Sequence, residues 1–438
     1  MVKIVRLACF VTRERLFFVR IGRGTFRVRN PRCLLLTWLF LTSLTSVFAQ
    51  AVIYQAIPPG YDFPADESAL LKMQGNGDLS GMRKHAWMVF AGLTQKTPAG
   101  EAIWETWYSG RNTFASGLTI EGARKIERPF QNPRQFLGAS QRLGIEDVGA
   151  SLLSFTLFNK ETRDFVQQNR FYSKSQLSLL NNAFPPHTPA PQRQISSAPR
   201  PAVSLKTVWW IVKQTGLTPI PVWDSQLNPQ LPKGNDYPTW KRVVAVDPSR
   251  TEIPSSETTN VDFDGPKLNS HVVPLNHFYG FQITANEIDS VRASKAPFAN
   301  KAQIGDYAVL VAMHYTTKEI PQWVWATFWW HDKPNDGSFG ADRPDQVVGV
   351  WRNYLMSTTY GMDTPNEKDG SPPIAFNPWL EARFPNGVLS NCMACHQKAV
   401  WPSQSFLPVV RGTMNPEDPY FKDEMKLDFL WSIAFESH

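Results

Sequence analysis

Cysteine is scarce in this chain: only Cys9, Cys33, Cys392 and Cys395 occur in 438 residues. An exported protein held together by disulfides would need more pairs, which excludes a disulfide framework. The apolar run at 33–49 is shorter than the ~20 residues that a membrane-spanning helix needs.

An excess of positive charge is also missing from most of the chain, although the whole carries a formal net charge of +7. Residues 1–49 hold nine Lys or Arg and one acid, so the remainder has a net charge of −1. Composition therefore gives no argument for binding to nucleic acid or to an anionic membrane surface.

The first 49 residues are typical of an export signal. Basic side chains precede the apolar run 33–49, and Val47 and Ala49 suit cleavage after Ala49. We therefore expect a periplasmic protein with no stable membrane span after cleavage. The alternative is an uncleaved anchor, and in both cases the body crosses the membrane.

The composition favours a mixed fold with a β-rich body and a small, mainly helical C-terminal segment, because 13% of residues are aromatic and only 19% are charged. Turn residues and a Pro-rich stretch divide the chain further. We predict a signal peptide at 1–49, an N-terminal domain at 50–183, a linker at 184–203, a β-rich domain at 204–376 and a C-terminal segment at 377–438.

Short β-branched and aromatic runs predict strands at 205–213, 219–223, 241–246, 307–315 and 323–330. Both faces of the last run are apolar, which predicts a strand buried on both sides. Residues 86–96 resemble 308–318, which indicates either a duplicated β-domain or two unrelated aromatic hairpins.

Helical spacing predicts helices at 161–169 and 175–183. A short helix capped by Ser390 or Asn391 should carry the last two cysteines, and Asp418 followed by Pro419 predicts a terminal helix at 419–434.

The residues 392–396 read Cys-Met-Ala-Cys-His, the CxxCH pattern of covalent haem attachment. A short helical turn brings both thiols to one side, where they reach the two vinyl groups of a porphyrin. His396 follows at once and can bind the iron. The alternatives are a zinc site, which lacks a second cysteine pair, a thioredoxin-like pair, which lacks a strand before it, and a strained disulfide.

The second axial ligand is harder to predict. Met would raise the reduction potential, a second His would leave it lower, and an open position would favour binding or catalysis. Met414, in a Pro-flanked loop, is our candidate sixth ligand. Met425, His314 and His331 are weaker candidates, since a His on an apolar strand is usually a core residue.

Two further groups have simple interpretations. The tryptophans could wall a haem pocket, but plain core packing is favoured for them: Trp323, Trp325, Trp329, Trp330, Trp401 and Trp431. The carboxylates Asp332, Asp342 and Glu381 are interpreted as a solvated surface.

At 392–396 the chain resembles the c-type cytochromes, and in particular large exported bacterial proteins of that class with a C-terminal motif. The resemblance implies one haem c, attached at Cys392 and Cys395 by the cytochrome c maturation machinery, with His396 as axial iron ligand. It also implies electron transfer with redox partner proteins of a respiratory chain or a periplasmic oxidoreductase. The alternative is a haem enzyme of oxidase or peroxidase type, or a gas-binding sensor, with an open sixth site.

Overall fold

The computed structural model describes three strands within 10–28 and most residues from 53 onward. Taken by itself, the unit 1–51 contains an antiparallel sheet of β1 (Phe10–Val11), β2 (Phe17–Ile21) and β3 (Gly24–Val28). The apolar run 33–49 and the cleavage position lie outside the described residues. The other described ranges are 53–117, 125–133, 152–224, 237–263, 265, 267–294, 296, 299–382, 384, 387–405 and 409–438.

Seven antiparallel strands form the main sheet of the second unit, 52–438. Its central strands β12 (Tyr307–Thr317) and β13 (Val324–Trp330) are rich in β-branched and aromatic residues, which favour extended backbone. All of β13 is buried, which confirms the strand predicted to be enclosed on both sides. The strand order is β14 (Tyr354–Thr359), β13, β12, β6 (Val203–Val212), β5 (Leu153–Phe158) and β4 (Tyr108–Ser109), and β11 (Gly280–Gln282) also pairs with β12.

Two smaller sheets accompany it. One has the order β7 (Thr218–Pro221), β8 (Val243–Asp247), β10 (Lys267–Pro274) and β9 (Thr258–Asp262), with β8 and β10 parallel. The other pairs β15 (Val400–Trp401) with β16 (Met425–Lys426). Together the three sheets confirm the β-rich body.

Helices cover the edges and one face of the main sheet. On that face Phe90 of a long helix stacks on Phe328 with ring centroids 4.0 Å apart, and Tyr315 donates to the Ala86 carbonyl. None of the described helices is long and apolar enough to cross a membrane. The helices are α1 (Glu67–Gly75), α2 (Leu79–Leu93), α3 (Gly110–Phe114), α4 (Lys160–Gln168), α5 (Lys174–Ala183), α6 (Ile288–Ala293), α7 (Cys392–His396) and α8 (Trp431–Glu436).

The duplicated β-domain is wrong, because the two similar stretches fold differently. Residues 86–93 lie in α2, whereas 308–317 lie in β12. The shared apolar letters suit a buried helix as well as a buried strand, and tertiary packing decides between them.

The terminal helix predicted at 419–434 is also wrong. Asp418 does cap a 3-10 turn at Pro419–Phe421, but the turn ends there. Asp423, Asp428 and Phe429 have positive φ angles, which no right-handed helix accommodates. The described part of 377–438 therefore holds two short helices and a strand pair, and is not mainly helical.

The segment 184–203 does not separate two compact units. Strands β5 and β6 stand on either side of it in the sequence and pair with each other, with Leu153 opposite Trp209 and Phe158 opposite Ser204. The predicted N-terminal, β-rich and C-terminal regions consequently share one unit, 52–438.

Candidate functional site

Asn391 fixes the helix α7 that carries the motif. Its side-chain oxygen accepts from the Met393 amide at 2.9 Å, which identifies it as the cap. Its amide nitrogen donates to Thr359 Oγ1 at 3.0 Å and to the Pro373 carbonyl at 2.9 Å. Met393 is fully buried. The motif is therefore anchored to the end of β14.

Both thiols of the motif are free and half-buried. The Cys392 Sγ donates to the Ala375 carbonyl at 3.3 Å. Burial, reinforced by the negative charge of Glu381, raises the pKa of Cys392 well above its ordinary value and that of Cys395 to about 12. Disulfide oxidoreductases need a cysteine whose pKa is lowered, so the thioredoxin-like alternative finds no support here.

His396 presents one nitrogen to the protein. Its Nδ1 lies 2.7 Å from the Phe429 carbonyl, and because a carbonyl only accepts, Nδ1 carries the proton. No hydrogen bond to Nε2 occurs among the described residues, so the neutral ring offers a lone pair there. Burial lowers the pKa of His396 to about 4, the positive charge of Lys206 acts in the same direction, and the ring is neutral at pH 7.

The Phe429 carbonyl is held by a strained turn. Asp428 and Phe429 have φ angles of 47° and 67°, a region that costs non-glycine residues about 1–3 kcal/mol each. The Asp428 carboxylate offsets this cost by accepting from Lys318 Nζ at 2.6 Å and from the Ala198 amide at 2.9 Å. These two contacts hold Asp428, and with it the turn whose Phe429 carbonyl accepts from His396.

His396 lines an open cavity, with a volume of about 90 Å³ accessible to water-sized molecules, on the face of the main sheet opposite α2. The floor of the cavity is formed by side chains that the register of the main sheet places side by side. One row across the sheet reads Thr327, His314, Lys206, Thr156, and the next reads Trp325, Thr316, Ser204, Phe158. Residues at and before α8 form another wall: Leu430, Trp431, Ser432, Phe435 and Glu436.

Aromatic rings tie the motif to this cavity. The His396 ring centroid lies 4.2 Å from that of Trp325, and Trp431 Nε1 donates to the Cys395 carbonyl at 3.1 Å. Trp325 and Trp431 are thus cavity walls, whereas the remaining tryptophans of the predicted cluster do not line it. The two thiols lie outside the set of lining side chains.

Two charged side chains near the motif were missed or misinterpreted. Lys206 lines the cavity, and burial lowers the pKa of its ammonium to about 7. Burial raises the pKa of Glu381 to about 7, so its interpretation as solvated surface is wrong. Asp332 is likewise enclosed, with a side chain 7% exposed beside Arg242.

Met414 does not reach this cavity. It packs with Val400 and Phe421 in a separate cluster, and its amide donates to Gln397 Oε1 at 2.9 Å. His331 accepts from the Lys333 amide through Nδ1 at 2.9 Å and does not line the cavity either. The weakly ranked His314 is the candidate that the fold brings to the side of His396.

Nowhere in the described ranges do three His, Cys, Asp or Glu side chains form a group that could hold a metal ion. A structural zinc site needs about four such ligands, whereas a haem iron takes only one or two from the protein. No family model, curated protein or solved structure matches the chain.

Proposed function

We propose that this chain is an exported, periplasmic monohaem c-type cytochrome that acts in electron transfer. Haem is held by thioether bonds at Cys392 and Cys395, and His396 binds the iron. Bound haem supplies an iron that alternates between ferric and ferrous states. Its partners are redox proteins of a respiratory chain or a periplasmic oxidoreductase.

One observation carries the proposal: the hydrogen bond from His396 Nδ1 to the Phe429 carbonyl, beside a cavity that the same ring lines. Iron-binding histidines typically donate their other nitrogen to a carbonyl or carboxylate, which fixes the tautomer and strengthens the ligand. The donor set therefore suits a haem iron.

The thiols suit attachment before folding. Cys392 and Cys395 would hold the haem through thioether bonds to its two vinyl groups, a redox-neutral addition. Burial raises the pKa of both thiols, so the folded chain offers little thiolate, which favours attachment by the cytochrome c maturation machinery before the chain folds.

The size and polarity of the cavity favour one second candidate, a haem enzyme or gas-binding sensor with an open sixth site. Lys206, His314 and Thr316 would then face a small ligand. Prompt binding of CO to the ferrous protein would distinguish this function from electron transfer.

The test is haem retention after denaturation, measured on protein exported from cells that carry the maturation machinery. Wild type should retain one haem per chain, and the double variant Cys392→Ser/Cys395→Ser should retain none. Cys9→Ser is the matched control, since Cys9 lies in the predicted leader, and it should retain haem like wild type. Wild type without covalent haem would overturn the proposal.

A further inference from the structure

His314 is the one histidine of the described residues that shares the cavity with His396. It stands on the central strand β12, between Lys206 of β6 and Thr327 of β13. Trp325, the ring against which His396 packs, is its diagonal neighbour on β13. Diagonal cross-strand neighbours lie about 7–8 Å apart, so the two imidazoles meet over one small area of the sheet.

The side chain of His314 is half-buried and lines the cavity, so its ring can be reached from that space. No hydrogen bond joins the ring to another described residue, which leaves its nitrogens open to a ligand. The hydroxyl of its cross-strand neighbour Thr327 accepts from the Asn377 side-chain amide at 2.7 Å. Burial also keeps the imidazole neutral, since it lowers the pKa of His314 well below the ordinary value.

The other candidate ligands from the sequence, and the enclosed His85, are engaged elsewhere. Met414 packs against Val400, and Met425 is buried in the core beside β15. His331 and His85 have protein partners of their own.

We propose that His314 is the second axial ligand of the haem iron, so that the chain holds a bis-histidine haem between the main sheet and the C-terminal segment. This inference rests on the proposed function. It assigns the sixth position to a residue that stands 82 positions before His396 in the sequence. Two histidines give a lower potential than a His and Met pair and leave no position for a small molecule, which favours an electron carrier.

The experiment compares wild type, His314→Ala, His314→Met and the control Met414→Leu, all purified with haem. Wild-type ferric protein should show the near-infrared charge-transfer band of two imidazole ligands, and its ferrous spectrum should not change under CO. His314→Ala should bind CO fully, and added imidazole should restore the six-coordinate spectrum. His314→Met should shift the midpoint potential upward. Met414→Leu should match wild type throughout.

The wild-type measurements need no variant, so they decide the question even where a variant fails to fold. A near-infrared band typical of His and Met ligands, or CO binding by wild type, would overturn the role of His314. The alkaline pyridine spectrum of the denatured chain reports covalent haem independently of His314. Its absence would overturn the proposed function itself and the inference with it.

Discussion

His85 and His396 both lie in enclosed surroundings, but their second ring nitrogens meet different partners. His85 contacts the Tyr360 hydroxyl through Nδ1, and through Nε2 it contacts Glu319 Oε1 at 3.3 Å and the Asp62 carbonyl at 3.2 Å. Among the described residues the only hydrogen bond of the His396 ring is to the Phe429 carbonyl, through Nδ1. Both rings are enclosed, so what sets His396 apart is the nitrogen that it leaves available, as the proposed role in iron binding requires.

The largest expected effect is on the coordination of the haem iron. If the proposed function is right, His396→Ala should abolish the low-spin six-coordinate spectrum, because the haem iron would lose the imidazole that directly follows Cys395. His85→Ala should leave the spectrum per folded molecule unchanged. Visible spectra of both variants, normalised to folded protein by circular dichroism, check this. Equal spectral damage from the two changes would remove the distinction between the histidines.

The second effect is on stability, with the roles reversed. His85→Ala should lower the free energy of unfolding by about 3 kcal/mol, because Glu319 and Tyr360 keep their burial and lose a partner. Denaturant titration in the Cys392→Ser/Cys395→Ser background measures this loss of stability without any contribution from bound haem. If the loss of unfolding free energy were no larger than that caused by a substitution on the exposed surface, the hydrogen bonds around His85 would not be important for stability.

A smaller effect should follow from releasing the turn that aims the Phe429 carbonyl. Lys318→Met removes the ion pair with Asp428 and should lower the free energy of unfolding by on the order of 2 kcal/mol. It should also raise the midpoint potential, because His396 becomes a weaker electron donor to the iron. The control is Arg250→Met, which removes exposed ion pairs with Asp247 and Glu257 that contribute little to stability. Redox titration should show a changed midpoint potential for Lys318→Met and an unchanged one for Arg250→Met. An unchanged potential in both would mean that the turn does not act on His396.

The smallest effect is on acid stability without haem. The pKa of His396 is about 4 in the folded chain and has its ordinary value in the unfolded chain. At pH values between the two, His396 is protonated in the unfolded chain and neutral in the folded chain. Stability should therefore fall as pH falls through this window, by on the order of 1 kcal/mol after solvent screening. In the double-serine background, His396→Gln should reduce this slope; His314, whose pKa burial also lowers, acts in the same direction and is unchanged in both proteins. A slope unchanged by the substitution would contradict the burial of the ring.

Much of the site could be predicted, because the motif is local. Cys392, Cys395 and His396 fall within five residues, and the cap Asn391 directly precedes them. Five strands of the β-rich body were likewise predictable from apolar runs, namely β6, β7, β8, β12 and β13, whereas β5, β9, β10 and β14 were not predicted. Local sequence patterns are enough where neighbours in sequence are neighbours in space.

The cavity could not be predicted in this way. His314, Lys206 and Trp325 meet only through cross-strand register, which the hydrophobic pattern of one strand does not give. The partner of His396 is a backbone carbonyl, and no side chain marks it. The spacing of apolar residues also gives no sign of the positive φ angles at Asp428 and Phe429. For this reason a terminal helix was predicted where a turn occurs.

The most direct test of the central claim is the intact mass of the exported protein after denaturation and removal of free cofactor. The account predicts one haem retained on every chain, with neither Cys392 nor Cys395 available to a thiol reagent. A polypeptide of unmodified mass in which both cysteines react would contradict it.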